Sequence, residues 1–415
     1  ARPTEGLLWA RHAEALLDRT GREPDATASY HNARANIAVR TGDYAQAEVS
    51  YRAALAAHEL EQPRDELAIA RVLNNLASTI GNLGKLPEAL ELLQRALEIR
   101  TANLGPDHPD IAFVLSTIGG SHALLGDAAA AEQAQRRALA IWRAALPPGH
   151  ERLAYPLSAL GDIALERARY EEARAHYEEA HTIWRSHYGP DHPQVLSMQE
   201  RLAGVMFTQG DLTRARASAD EALEIWDSIA QPEPGGFTLI LLARAQIAVI
   251  DGDHAKATAL MQRALDTAVA AFGEGHLYAA STRMLMLGHK IDQGRAAEAL
   301  PGLVALVAEF AGQYGDDARW LIEPLLTLGR ARHAVKDYAA ARADLERARK
   351  LATVHGIVGQ FGDLDLALAR VLWDSDADRP GARTLAQAAV EVHRRSGAAR
   401  SLAEAETWLK EHPLP

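Results

Sequence analysis

Small residues recur along this chain at one long, fixed interval. Stepping forward from Gly42 by 42 residues reaches Gly84, Gly126, Ala168, Gly210, Gly252, Gly294, Lys336 and Asp378, with no slip of register. Five residues after each of the first eight markers stands an alanine, from Ala47 and Ala89 through to Ala341. Twelve after the marker comes alanine again, with Leu306 and Val390 as exceptions; seven before it comes Ala or Gly, with Leu287 and Val371 as exceptions. Two antiparallel helices approach closely only where side chains are small, and a neighbour's bulky side chain then fills the gap. The marker glycine ends one helix and opens the turn to the next. Each period therefore reads as a helix A of about 17 residues, a turn, and a helix B of similar length, each roughly 25 Å long. No such pair buries its apolar face alone, whereas stacked pairs share one continuous core.

The predicted fold is all-α: a solenoid of about nine helix-turn-helix repeats over residues 25–397. Residues 1–24 are expected to hold a leading capping helix over 5–19, and residues 398–415 a trailing capping helix and tail. Three prolines disturb the pattern. Pro156 and Pro324 fall inside the expected helices A and should start them late or kink them, and Pro301 falls inside the helix B of unit seven. Unit nine keeps few of the small-residue markers and reads as a terminal unit.

Composition narrows the chemistry. The formal charge is −11 across 415 residues, with no basic block, so nucleic acid is not the expected partner. There is no cysteine, which excludes disulfides, thiolate metal sites and cysteine nucleophiles. No apolar run is long enough to span a bilayer, and no secretory pattern opens the chain, so a cytoplasmic location without membrane insertion is expected. Phosphate-binding loops, kinase signatures and HExxH are missing. No acid, base and nucleophile are placed together, so no enzyme, no catalytic residue and no cofactor are expected.

The pentapeptide GPDHP at 105–109 returns at 189–193, with looser copies PPGHE at 147–151 and GEGHL at 273–277. Its histidines, His108, His150, His192 and His276, keep the 42-residue register. Equivalent positions in stacked units lie roughly a helix diameter apart, about 10 Å, too far to share a metal that needs each nitrogen at about 2 Å. A helix cap fits better. Pro109 and Pro193 suit the first helical position, and the residue before a proline is held out of the α region. No metal site is expected. A second ladder, Trp142, Trp184 and Trp226 with Phe310 in the equivalent place, reads as packing at the end of helix B.

The small residue before the turn, the Gly-Asp/Lys-aromatic turn and the two alanines after it resemble the tetratricopeptide repeat. The 42-residue period, VLNNLA in helix A and LGPDHPD between units look like its kinesin-light-chain subclass, similar to the C-terminal repeat regions of bacterial serine/threonine protein kinases. The resemblance implies a right-handed superhelix whose helices A line a concave groove, and a protein or peptide held there. In its register the groove residues include Asn32, Asn36 and Arg40 of unit one, and Arg71, Asn74, Asn75, Ser78 and Asn82 of unit two. Ser116, Tyr155, Ser158 and Arg201 continue the wall, which turns apolar at Leu242, Val249, Met284 and Ile291 and ends at Glu323, Arg330 and His333. Asn pairs with a peptide backbone whatever its side chains, and Arg suits carboxylates. The resemblance thus implies a non-catalytic scaffold that binds a peptide or protein segment, as the docking or regulatory arm of a bacterial signalling protein. The alternative is a peptide or small-ligand sensor that switches an effector. Oligomeric state is not legible.

Overall fold

A computed structural model describes residues 23–229 and 234–413, together with Ala15, Leu17, Arg19 and Gly21. The leading helix expected over 5–19 falls almost wholly outside the described residues. Nineteen α-helices follow one another from Pro24–Arg40 to Ala399–Glu411, and no strand occurs among the described residues. The fold is an all-α helical repeat. By compactness the chain divides into two units, Ala1–Leu160 and Gly161–Pro415.

The period works as its small residues suggest. The alanines five after each marker, Ala47 to Ala341, are completely buried, as are those twelve after it, Ala54 to Ala264 and Ala348. Leu93, Tyr177, Leu303 and Leu345 on the same helices are fully buried as well. Tyr177 and Leu345 fill the space left by the glycines seven before the marker: a Cβ at Gly161 would lie 2.4 Å from the Tyr177 ring, and one at Gly329 2.6 Å from Leu345. The marker glycines take the left-handed conformation, with Gly42 at φ 77° and Gly210 at φ 81°. Ala168 and Lys336 hold the same turn without glycine, at φ 54° and 66°. Where an aspartate follows the marker it caps the next helix, as where Asp43 accepts from the Gln46 N–H and Asp211 from the Arg214 N–H.

In the last repeat the register slips, contrary to the sequence expectation. The left-handed residue is Asp376, not Asp378, and Asp378 caps the helix Arg379–Ser396 instead. The prolines behave as expected at two sites. Short 3₁₀ turns, Glu151–Leu153 and Arg319–Leu321, precede the shortened helices Ala154–Glu166 and Ile322–Ala334. Pro156 and Pro324 then sit in the first turn, where a missing N–H breaks no bond. Pro301 lies inside the helix Ala296–Tyr314, which continues past it.

All four pentapeptide histidines are N-caps. The His108 ring accepts from the Asp110 N–H at 3.2 Å through Nδ1, and His150, His192 and His276 repeat the bond at 3.2, 3.3 and 3.2 Å. His192 stacks on Tyr188 and His276 on Phe272. Trp142, Trp184, Trp226 and Phe310 are buried, so this ladder is packing and not an exposed strip.

Candidate functional site

Within Ala1–Leu160 the expected groove residues of unit two share one face of the helix Glu66–Asn82. Arg71, Ser78 and Asn82 are exposed and Asn75 is half-buried. Ser78 Oγ donates to the Asn74 carbonyl at 3.1 Å, and Asn82 Nδ2 to the Ser78 carbonyl at 2.9 Å, so part of this polarity serves the helix itself. Asn74 is only 2% exposed, and its Oδ1 has no hydrogen-bond partner. Asn32 Oδ1 is likewise buried and without a partner. Asn36 and Arg40 are exposed. Asn36 Oδ1 accepts from the Tyr51 hydroxyl at 2.6 Å, a bond between the two helices of one repeat. Ser116 is tied in the same way to Gln135, whose Nε2 donates to the Ser116 carbonyl at 2.9 Å. Tyr155 is exposed and Ser158 half-buried on the helix Ala154–Glu166.

Arg201 stands in Gly161–Pro415 and is engaged by its neighbours. Its Nη2 donates to Asp162 Oδ2 at 3.3 Å, while Asp162 Oδ1 accepts from the Tyr177 hydroxyl at 2.7 Å. Burial raises the Asp162 carboxyl, with Arg201 opposing. Burial also pushes the neighbouring Glu200 up to about 7, with Arg201 opposing and Asp162 adding to the rise.

Gly161–Pro415 closes on itself. Arg319 donates to Glu166 at 2.7 Å, Gly359 packs near Ala168, and Arg400 lies 4.7 Å over the Phe207 ring. The trailing helix Ala399–Glu411 therefore does more than cover the end of the stack. Trp408 and Ala405 anchor it on Ala386, Ala389 and Val390, and its first turn reaches the helix Pro193–Thr208.

The closure forms the walls of two adjoining, half-open cavities, of about 490 and 550 Å³. Each falls in the roughly 300–1,000 Å³ range of small-ligand sites. Met284, Glu323, Asp363, Arg400 and Ser401 line both. The first adds Tyr170, Leu277, Ile357, Gln360 and His393, with Trp320 presenting 45% of its surface. The second adds Phe207, Val249, Arg330 and Arg370. Val249, Met284, Glu323 and Arg330 come from groove-register positions, and so does Phe207, three before Gly210 as Val249 is before Gly252. Asp363, Gln360, His393, Arg400 and Ser401 do not, and nothing in the 42-residue pattern marks them. They enter because the chain end folds back, which no local pattern records.

The electrostatics of the cavities are set by enclosure. Glu323 is open to the cavity yet ringed by protein, which pushes its carboxyl up to about 7, with Asp363 adding to the rise and Arg330 opposing it. Asp363 is raised by the same burial, against His393 and Arg400. Burial lowers the His393 imidazole. Among the described residues no group of histidines and carboxylates is arranged to hold a metal ion. No helix among them is long and apolar enough to cross a membrane.

Two solved structures share this fold over most of the chain. The apo form of the quorum sensor NprR from B. thuringiensis is 12% identical and covers 84% of this chain and 98% of its own, with a TM-score of 0.62. A Rap protein complexed with Competence and Sporulation Factor is 13% identical and covers 93% and 99%, with a TM-score of 0.51. No curated protein matches the chain in sequence. Residues 68–144 and 152–228 match the family model of the tetratricopeptide repeat.

Proposed function

We propose that this chain is a non-catalytic receptor for a short peptide, bound in the paired cavities of Gly161–Pro415. The observation that carries the reading is the enclosure. Inner helix faces and the returning helix Ala399–Glu411 surround a space with apolar walls at Met284 and Trp320 and charged groups at Glu323, Asp363 and Arg400. An apolar pocket with a few converging polar groups is the usual form of a ligand site. The likeness to a quorum sensor, and to a protein complexed with Competence and Sporulation Factor, supports a signalling setting. The peptide would favour the closed state and switch an attached or associated effector.

A second reading has its own observation. Asn32 and Asn74 carry carbonyl oxygens without partners, beside the half-buried Asn75 and the exposed Arg71. We propose that this wall of Ala1–Leu160 docks an extended protein segment, in the manner of a docking arm.

A cavity-filling substitution tests the first reading. Met284→Trp should abolish binding of random hexapeptide pools while leaving the helical circular dichroism unchanged. Pools that bind the filled variant as tightly as the wild type would place the site elsewhere, with the asparagine wall as the next candidate.

A further inference from the structure

The receptor reading leaves open what the cavities receive, and their unused bonding groups bear on it. Three of the four arginines on the walls are committed to ion pairs. Arg319 bonds Glu166 at 2.7 Å, Arg330 bonds Asp292 at 3.0 Å, and Arg370 bonds Glu404 at 2.8 Å. Arg400 covers the Phe207 ring. Glu323 and Asp363 line both cavities, and among the described residues neither forms an ion pair with an arginine or lysine. Glu323 Oε1 accepts from Gln360 Nε2 at 2.6 Å, and Asp363 is hydrogen-bonded by Ser401.

Two further groups point to something missing. Gln360 spends its amide N–H on Glu323, and its Oε1 is buried without a partner. His393 is 2% exposed, its ring bonds the Gly362 backbone, and Nε2 has no hydrogen-bond partner. Asp363 Oδ1 lies 3.6 Å from that nitrogen, beyond hydrogen-bond reach. Burial lowers the ring, with Asp363 and Glu404 opposing. Two carboxylates without an arginine or lysine ion pair thus line a space beside a buried amide oxygen and a buried imidazole nitrogen that make no hydrogen bond.

We infer that the cavities receive a cationic group of the peptide, an ammonium or guanidinium, between Glu323 and Asp363, with Gln360 Oε1 as a further acceptor. Ammonium brings three N–H donors and guanidinium five, each with the charge that two facing carboxylates require. An anionic group would be repelled, and an apolar one would leave every acceptor bare. The apolar surfaces of Trp320 and Met284 would take the adjoining residues. The inference rests on the receptor reading.

Random hexapeptide pools separate the possible sources of the charge. One pool is amino-terminally acetylated and free of Lys and Arg; a second has a free terminus and no Lys or Arg; a third is acetylated and carries one Lys or Arg. At least one charged pool should bind tenfold or more tightly than the uncharged one. In Glu323→Gln/Asp363→Asn this advantage should vanish, while affinity for the uncharged pool persists and so reports a folded cavity. If all pools bind alike, or the advantage survives the double substitution, the inference fails and the receptor reading stands. If the double variant loses the uncharged pool as well, Glu323→Gln alone is measured, and an undiminished charge advantage there overturns the inference. Binding of no pool overturns both.

Discussion

At the scale of single residues, the chain departs from its own pattern where the site lies or where a neighbour compensates. Lys336 keeps a left-handed turn that most markers give to glycine, at a conformational cost of about 1–2 kcal/mol. Glu323 is the departure with a measurable consequence. Its carboxyl is pushed up to about 7 in the folded chain because protein rings it and Asp363 faces it; Arg330 opposes the rise only in part. Its ordinary value is 4.5, so between these values the folded chain holds a proton that the unfolded chain has released. Stability therefore falls as pH rises through this window, and the loss is complete above it. Glu323→Gln, which keeps an acceptor for Gln360, should raise the melting temperature of the unliganded protein at about pH 8 and leave it unchanged below pH 4.5. Melting curves across that range check this; an equal gain at both ends would mean that the carboxylate is not the source.

At the scale of elements, nearly every helix was legible, because each boundary is written in a few adjacent residues. Gly42, Asp43 and the buried Ala47 specify a turn, a cap and a packed helix in six positions. The pentapeptide was legible for the same reason. A histidine before a proline does not readily continue a helix, and its ring accepts from the N–H of the residue after the proline. His192→Ala should cost about 1 kcal/mol, in keeping with the loss of a side-chain cap, and His192→Asn should recover most of it. Urea denaturation measures both; an alanine variant as stable as the wild type would reduce the ring to its stacking on Tyr188. The asparagine wall was harder to read, because helix-forming and ligand-binding uses of Asn look alike in sequence. Asn36 turns out to hold Tyr51, and Arg201 to hold Asp162. Only the orphaned oxygens of Asn32 and Asn74 separate the two uses.

At the scale of the whole molecule, the cavity walls come from residues more than a hundred positions apart, as where Arg319 meets Glu166 and Arg400 meets Phe207. A repeat period reports only how a unit meets its neighbour, so it cannot record this return. The distinction can be tested with two tryptophans of similar burial. Trp142 anchors its repeat within Ala1–Leu160, with its indole N–H bonded to the Pro109 carbonyl at 3.0 Å. Trp408 anchors the returning helix on Ala386 and Val390 in Gly161–Pro415. Either change to alanine removes a large buried side chain and should cost about 3–5 kcal/mol. Stability alone therefore will not tell them apart, but binding will. Trp408→Ala loosens the helix that brings Arg400 and Ser401 to both cavities, so peptide affinity should fall tenfold or more, even though Trp408 lines neither cavity. Trp142→Ala should leave that affinity within about twofold, because energy in a repeat array passes chiefly between neighbours. Both variants are measured at a temperature where circular dichroism shows them folded. The reverse ranking would move the receptor site out of the closed unit and onto the wall of Asn32, Asn74 and Asn75.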